Sequence, residues 1–168
     1  MKRILFFALL CLFSIAGFAS ARLTLGSLSC LKGENEVGVS FDFSKVVYRY
    51  DRTLKEFLAI DRRAKDWEEQ SLEYFALSFN KTCKLNAKVS DTAKYVLVIV
   101  PSNIRGNGSL KGDVLLKNTS TNAVEAILSF STNDGDDDDE VTFRDPMREL
   151  GESVGKIFAK QLKKINKQ

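Results

Sequence analysis

The sequence contains no histidine. This absence excludes every mechanism that uses an imidazole base, including Ser-His-Asp and Cys-His catalysis, and it removes the commonest protein ligand of zinc and copper. Any catalytic chemistry would therefore depend on carboxylates, lysine or tyrosine. No nucleophile–base pair of those types is recognisable in the sequence, so we expect a protein that is not an enzyme and that needs no cofactor.

Cysteine is also scarce, with three residues in the chain. Cys11 follows Leu10, which breaks the small-residue requirement of a lipidation motif, so we expect no lipid anchor there. Cys30 and Cys83 form either a disulfide, which an oxidising compartment allows, or two separately buried thiols, since free cysteine packs well as a small apolar group. A bridge would stabilise the fold by about 4 kcal/mol in the chain-entropy model. Because no C-x-x-C motif is present, we expect no reactive thiol.

The first 21 residues have the pattern of an export signal. Lys2 and Arg3 precede an apolar run over residues 4–18, and Ala19 and Ala21 occupy the small-x-small positions that signal peptidase recognises. The alternative is an uncleaved anchor, because about 18 apolar residues can span a bilayer. Small residues at the end of the run favour cleavage. We expect export to the periplasm or the extracellular space, with no membrane span after the leader is removed.

Length and charge limit the remaining possibilities. Removing residues 1–21 from a chain of 168 leaves 147 residues, enough for a single domain over 22–168 with a substantial core. Lys2 and Arg3 account for two of the three net positive charges, so about +1 remains. Near-neutral charge argues against nucleic-acid binding, which needs a concentrated basic surface. Oligomeric state is left open.

Hydrophobic periodicity predicts six strands. Alternating apolar residues predict strands over 37–43 and 85–89, and a continuous apolar run predicts a buried strand over 95–100 that ends or becomes an edge at Pro101. A weaker apolar pattern predicts a first strand over 23–31. The polar connector 118–122 predicts a hairpin joining strands over 114–116 and 123–130.

Helical spacing predicts a long helix in the middle of the chain and another at its end. Thr53 and Glu56 fit a capping box that starts a short helix to about residue 60. The next helix buries Leu72, Phe75, Ala76 and Phe79 on one face and ends near residue 80.

The last helix is capped by Asp145, with Pro146 in its first turn and an apolar stripe that extends to residue 165. Gly151 and Gly155 lie one turn apart in this helix, and we expect them to let it approach the sheet closely. The order of elements is therefore β-β-α-β-β-β-β-α. It predicts an α+β fold with a single, mostly antiparallel (mixed) sheet of five to six strands and two main helices on one face.

An acidic loop over 133–140 connects the last strand to the last helix. Six of the seven residues 134–140 are carboxylates, which repel one another unless a cation binds. The alternatives are a solvated loop and a weak calcium site, with Asp134, Asp136, Asp138 and Glu140 as its ligands. Thr132 stands where an EF-hand needs Asp or Asn, so that motif is broken.

Exposed aromatic and basic residues supply the candidate binding surface. Tyr48, Arg49, Tyr50 and Arg52 lie together between two predicted elements, and amphipathic aromatic side chains are suited to contacts with peptides or sugars. Trp67 and Phe75 have the pattern of core residues. Scattered carboxylates would supply any glycosidase-type pair. They are Asp42, Asp51, Asp61, Asp66, Glu68 and Glu69.

Two resemblances accompany these patterns. Leu25-Gly26-Ser27-Leu28 and Val39-Ser40-Phe41-Asp42-Phe43 resemble a family of small exported proteins of Bacteroides-type bacteria. The closing segment, with Arg148-Glu149-Leu150-Gly151 and Val154-Gly155-Lys156, resembles at the fold level the periplasmic α/β accessory domains of penicillin-binding-protein activators and curli-secretion lipoproteins. Neither resemblance implies a catalytic residue, and this chain lacks the lipobox cysteine by which those accessory lipoproteins are anchored to the envelope.

Together these features favour a non-enzymatic, exported accessory or binding module of the cell envelope, with a protein or a glycan as its partner. Two alternatives remain: a carboxylate-dependent hydrolase acting on polysaccharide, and calcium-dependent adhesion through the acidic loop.

Overall fold

The structure is a computed structural model that describes residues 20–44, 46–48, 52–53, 67–104, 109–133 and 143–167. Within these ranges the chain forms eight strands, two α-helices and a 3-10 turn at Ser29–Leu31. The strands are β1 (Ser20–Gly26), β2 (Glu36–Phe41), β3 (Val47–Tyr48), β4 (Arg52–Thr53), β5 (Asn86–Val89), β6 (Tyr95–Ile104), β7 (Leu110–Asn118) and β8 (Val124–Ser131). The helices are α1 (Trp67–Thr82) and α2 (Arg144–Ile165).

Six strands form one mixed sheet in the order β1-β8-β7-β6-β2-β5. The pairs β1–β8, β8–β7 and β7–β6 are antiparallel, whereas β2 is parallel to both β6 and β5. Parallel strands need a long crossover, and α1 supplies it between β2 and β5. The predicted α+β fold and its order of elements are therefore confirmed.

The core lies between one face of the sheet and the two helices. Strand alternation explains it: Val37 and Val39 of β2 are fully buried toward the helices, while Gly38 and Ser40 lie on the other face. The largest side chains of this core are aromatic, and the Phe79 ring stacks on Phe75 and meets Phe158 edge-on at 5.4 Å.

Pro101 lies inside β6, so the prediction that it ends the strand is wrong; the alternative that it marks an edge agrees with the pairing of β2 to β6, which reaches only Ile99. Proline lacks a backbone N–H, and the β6–β7 register shifts between Pro101 and Asn103. Gly112 faces Pro101 across this irregularity, and a Cβ at Gly112 would overlap with the Val100 carbonyl oxygen. The missing side chain at residue 112 thus lets β6 continue beyond the proline.

The beginning of the domain also differs from expectation. The strand predicted over residues 23–31 ends at Gly26. Residues 28–31 then form a turn, which places the apolar side chains of Leu28 and Leu31 in the core. Ala21 lies within β1, opposite Phe130, and its backbone N–H donates to Ser153 Oγ at 2.9 Å. Ala19 lies outside the described residues, so the export signal stays a prediction.

Thr53, the first residue of the predicted capping box, lies in a strand and not at the start of a helix. Thr53 belongs to β4, which forms an antiparallel pair with β3, while Glu56 and the rest of the predicted short helix lie outside the described residues.

Asp145 is not the cap of α2. The helix begins at Arg144 after Phe143, a buried residue with a left-handed backbone (φ 49°), and Asp145 lies in the first turn. Its carboxylate there interacts favourably with the helix dipole. The Phe143 ring, held edge-on to Trp67 at 6.1 Å between centroids, replaces a polar cap as the anchor of this end.

The prediction that Gly151 and Gly155 let α2 approach the sheet closely is wrong, because both glycines face α1. A Cβ at Gly151 would overlap with the carbonyl oxygen of Phe75, and one at Gly155 would overlap with Thr82 Oγ1. Both contacts are with α1: its backbone fills the space at Gly151, and the Thr82 hydroxyl fills it at Gly155. The two helices therefore form a closely packed layer on one face of the sheet. No helix in the described part of the chain is long and apolar enough to cross a membrane.

Because of this contact, we expect a glycine-to-alanine substitution in α2 to destabilise the protein, although alanine usually favours a helix. Replacing an exposed helical glycine by alanine stabilises a protein by about 0.5–1 kcal/mol. We expect Gly151→Ala to lower the free energy of unfolding by about 1–3 kcal/mol, because the added Cβ forces the two helix backbones apart. Urea unfolding measures the change, with Lys160→Ala on the exposed side of α2 as the control. An unchanged or raised midpoint for Gly151→Ala would contradict the close contact.

Candidate functional site

The candidate binding surface at residues 48–52 is described only in part. Tyr48 and Arg52 are paired across the β3–β4 hairpin. Arg49 and Tyr50 lie outside the described residues, and so does Asp51. The role of this segment in binding therefore stays a prediction.

The predicted calcium site in the acidic loop likewise stays a prediction. Asp134, Asp136, Asp138 and Glu140 all lie outside the described residues, and the calcium site they predict is untested. In the described ranges themselves, no three cysteine or carboxylate side chains are grouped as metal ligands.

Both ends of the acidic segment are anchored to the fold. Asn133 precedes it, and its backbone N–H and its side-chain amide donate to the two carboxylate oxygens of Glu149, each at 3.3 Å. Thr132 Oγ1 accepts the Leu110 N–H at 2.8 Å. Phe143, fully buried, follows the segment. Asn133 and Phe143, which flank the segment, thus both lie close to the first turns of α2.

The cysteines form no bridge. Cys83 is a buried free thiol, and Cys30 is a half-buried one, so the structure has the second of the two expected arrangements. The two thiols also have different neighbours: Glu125, Glu34 and Lys94 lie near Cys30, whereas the backbone of residues 84 and 85 lies near the Cys83 thiol.

Burial makes both thiols poor nucleophiles. Loss of solvent raises the pKa of Cys30, and the nearby Glu125 carboxylate raises it further. Burial likewise raises the pKa of Cys83. Beside Cys30, Lys94 Nζ donates to Glu34 Oε1 at 2.5 Å, and this hydrogen bond raises the pKa of Lys94. Cys30 and Cys83 are thus stabilised as neutral thiols, and Lys94 is stabilised as an ammonium ion. This arrangement suits a structural role better than catalysis.

The described carboxylates of the proposed hydrolase pair have local structural contacts. Asp42 Oδ1 accepts hydrogen bonds from the backbone N–H and the hydroxyl of Ser44. Glu68 and Glu69 are exposed in the first turn of α1, where negative charge stabilises the helix. Asp51, Asp61 and Asp66 lie outside the described residues.

Trp67 belongs to an aromatic cluster that joins β2 to the starts of both helices. Its ring lies 4.8 Å from Phe43 and 6.0 Å from Phe41, and Phe143 meets it edge-on. Phe143 is fully buried, and the other three rings pack against the core. This supports the packing role expected for Trp67 and argues against an open aromatic platform.

An open groove of about 570 Å3 lies between α1 and α2. Only polar side chains line it: Ser78, Lys81 and Thr82 of α1, and Asp145, Arg148, Glu149 and Glu152 of α2. We call this feature the inter-helix groove. It exists because the glycine contacts hold the helix axes close together at residues 151 and 155, while longer polar side chains rise on either side.

Hydrogen bonds and ion pairs hold the acidic side of the groove in place. Arg148 lies 3.6 Å from Asp145, and Glu152 pairs with Lys156 at 2.5 Å. Glu149 is fixed by Asn133. The groove thus presents carboxylate acceptors beside ammonium and guanidinium donors, with two cations and three anions among its lining residues. Such a surface can exchange hydrogen bonds in both directions with a ligand rich in hydroxyl groups.

Sequence patterns did not reveal this site. Its residues have the expected helical spacing, since Ser78 and Thr82 are four residues apart and Glu149 and Glu152 are three apart. Polar residues at this spacing also form ordinary solvated helix faces. The glycines were the available signal, but the sequence does not show that they face another helix.

Comparisons with known proteins leave the family open. No protein-family model matches the chain, and no curated protein matches it. A solved dodecamer of a PelC variant from Paraburkholderia phytofirmans is 15% identical, with a TM-score of 0.46 over 84% of this chain and 97% of that chain. A second PelC dodecamer from this organism is 13% identical, with a TM-score of 0.46 over 86% of this chain and 96% of that chain. These likenesses are too distant to decide function, and the resemblance to a Bacteroides-type family stays a prediction.

The thiols provide a direct test of the cysteine environment. We expect Cys30 and Cys83 to react with a thiolate-specific disulfide reagent more slowly in the folded protein than free cysteine does at pH 8, and to react readily in denaturant. Because the folded state favours the neutral thiols, their contribution to stability is present below the ordinary thiol pKa of about 8.5 and is lost as pH rises above it.

Reagent titration and urea unfolding between neutral and alkaline pH measure these two effects, with a Cys30→Ser, Cys83→Ala double variant as the control. If protein denatured without reductant shows neither thiol, the two cysteines are bridged after all.

Proposed function

We propose that the chain is an exported, non-catalytic binding module of the cell envelope, and that it binds a glycan in the inter-helix groove. The observation that carries the proposal is the groove itself: an open depression of about 570 Å3 lined only by polar side chains. Ligand pockets of comparable volume are usually lined mainly by apolar groups. A lining that consists of polar and charged side chains favours a polar ligand.

The chemistry of the lining favours hydroxyl groups over a simple ion. A sugar hydroxyl both donates and accepts, and it is satisfied by a carboxylate next to a cationic donor. Arg148 and Glu149 are adjacent and line the same groove. Lys81 faces them from α1, in the last turn of that helix. A phosphate or a metal ion would be better served by charges of one sign.

The geometry does not favour hydrolysis. A glycosidase needs one carboxyl group in an apolar setting that keeps its proton, and a second carboxylate at a defined distance. The groove is polar, and its acids lie beside Arg148, Lys156 or the Asn133 amide. None of these acids lies in the apolar setting that a general acid needs, so binding without turnover is the function that we propose.

The export part of the proposal rests on the N-terminal sequence. Lys2 and Arg3, the apolar run over residues 4–18, and small residues at positions 19 and 21 form the complete pattern of a signal peptide. Envelope glycans are the polyhydroxylated polymers that an exported protein meets.

Binding of envelope oligosaccharides tests this function. We expect the tagged full chain, purified as the cell processes it, to bind at least one fraction of fragmented envelope glycan in calorimetry. Arg148→Ala and Glu149→Gln each remove a charged hydrogen-bonding partner, for which the usual contribution of about 1.5–3 kcal/mol corresponds to roughly a tenfold or greater loss of affinity.

Lys160→Ala, on an exposed part of α2 away from the groove, is the matched control and should bind normally. Equal binding by all four proteins would place the glycan elsewhere. Co-purification of a protein, with no glycan bound, would favour a protein partner and reject our choice.

A further inference from the structure

The sheet face opposite the helices carries a continuous apolar row. Strand pairing aligns Val98 of β6 with Leu115 of β7, Leu115 with Ile127 of β8, and Ile127 with Leu25 of β1. Residues paired in this way project from the same face of a sheet. None of the four belongs to the core between the sheet and the helices. We call the surface that contains this row the open face.

Exposure increases along the row. Val98 is buried, Leu115 and Ile127 are half-buried, and Leu25 is 63% exposed. Toward β5 the open face is different, because the segment after β5 lies over it: a Cβ at Gly38 would meet Ala93 and the Ser90 carbonyl. Among the described residues, none is seen to cover the part of the open face that extends from β7 to β1, and exposure begins beyond the buried Val98 of β6.

Opposite charges flank the row on β7. Asp113 and Lys117 lie two residues before and two residues after Leu115, so all three side chains project from the open face. Both charged residues are half-buried. Asp113 Oδ1 accepts a hydrogen bond from Ser129 Oγ at 2.6 Å, which fixes the carboxylate toward β8.

We propose that the open face binds the open face of a second copy of this chain, with the two-fold axis along the apolar row and over Leu115. The rotation reverses β7 of the second copy. It therefore places Lys117 of each copy above Asp113 of the other, while Leu115 meets Leu115 and Ile127 meets Ile127 across the axis. One strand thus carries both halves of a self-complementary pattern, as an isologous interface requires.

The dimensions suit a weak pairing. Packed sheets lie about 10 Å apart and are rotated by about 30°, which moves each charged residue sideways by only about 3–4 Å and leaves it within reach of the flexible lysine stem. The four strands from β6 to β1, spaced about 4.8 Å apart with about seven residues of 3.4 Å each, give a face of roughly 450 Å2. About 900 Å2 from both copies together is the size of a weak, transient interface.

Charge-swap variants test the pairing. Sedimentation of the full chain, purified as the cell processes it, should show a concentration-dependent dimer between about 1 μM and 1 mM. We expect Lys117→Asp to weaken the dimer about tenfold or more, since two acids on each copy then face each other. The double variant D113K/K117D restores opposite charges across the axis and should recover the dimer. Circular dichroism and thermal unfolding confirm that each variant is folded.

Cross-linking provides a second measurement that does not depend on affinity changes. Residue 115 lies next to the axis, so a short bifunctional maleimide should join Leu115→Cys of one copy to Leu115→Cys of the other; sheets about 10 Å apart are too distant for a direct disulfide. Leu77→Cys, 59% exposed on α1, is the matched control on the helix side and should not cross-link at the same rate. A strictly monomeric chain, a dimer indifferent to both charge changes, or a different protein cross-linked at position 115 would each overturn self-pairing.

Discussion

The close contact between α1 and α2 is the constraint on which the rest of the structure depends. Two glycines on α2 lie against α1: a Cβ at Gly151 would overlap with the α1 backbone, and one at Gly155 would overlap with the Thr82 hydroxyl. Since the helices are in contact with each other as well as with the sheet, they form one layer and bury a common aromatic core that includes Phe79 and Phe158. The helix layer covers one face of the sheet only, so the same contact determines which surfaces the domain presents.

Two surfaces of different chemistry result from this arrangement. Between the helices, polar side chains rise beside the glycine contact and enclose the inter-helix groove, where Arg148 and Glu149 lie together. On the other side of the sheet, the row through Leu115 and Ile127 projects away from the helices. The first surface suits a polyhydroxylated ligand, and the second suits another apolar sheet face. Since they lie on opposite sides of the sheet, self-association through the open face leaves the groove accessible.

Local patterns predicted most of the elements. Alternation around Val37 and Val39, the apolar run from Tyr95 and the stripe of the last helix each correspond to a regular element, because burial on one or two faces leaves a period in the sequence. Pro101 misled the prediction of where the strand ends, since its tolerance within β6 depends on Gly112 of the neighbouring strand. The candidate site was not predicted, because its residues come from two helices whose contact is not encoded by spacing.

By itself, the sequence determined the class of the fold, the order of its elements and the exclusion of histidine chemistry, because periodicity and composition are local properties. The tertiary structure alone decided which partner the two glycines contact, that Cys30 and Cys83 remain separate thiols, and which apolar strand positions stay outside the core. These outcomes depend on distances between residues that are remote in the chain. A pattern along the chain records that a side chain is small, apolar or charged, and only packing determines what lies opposite to it.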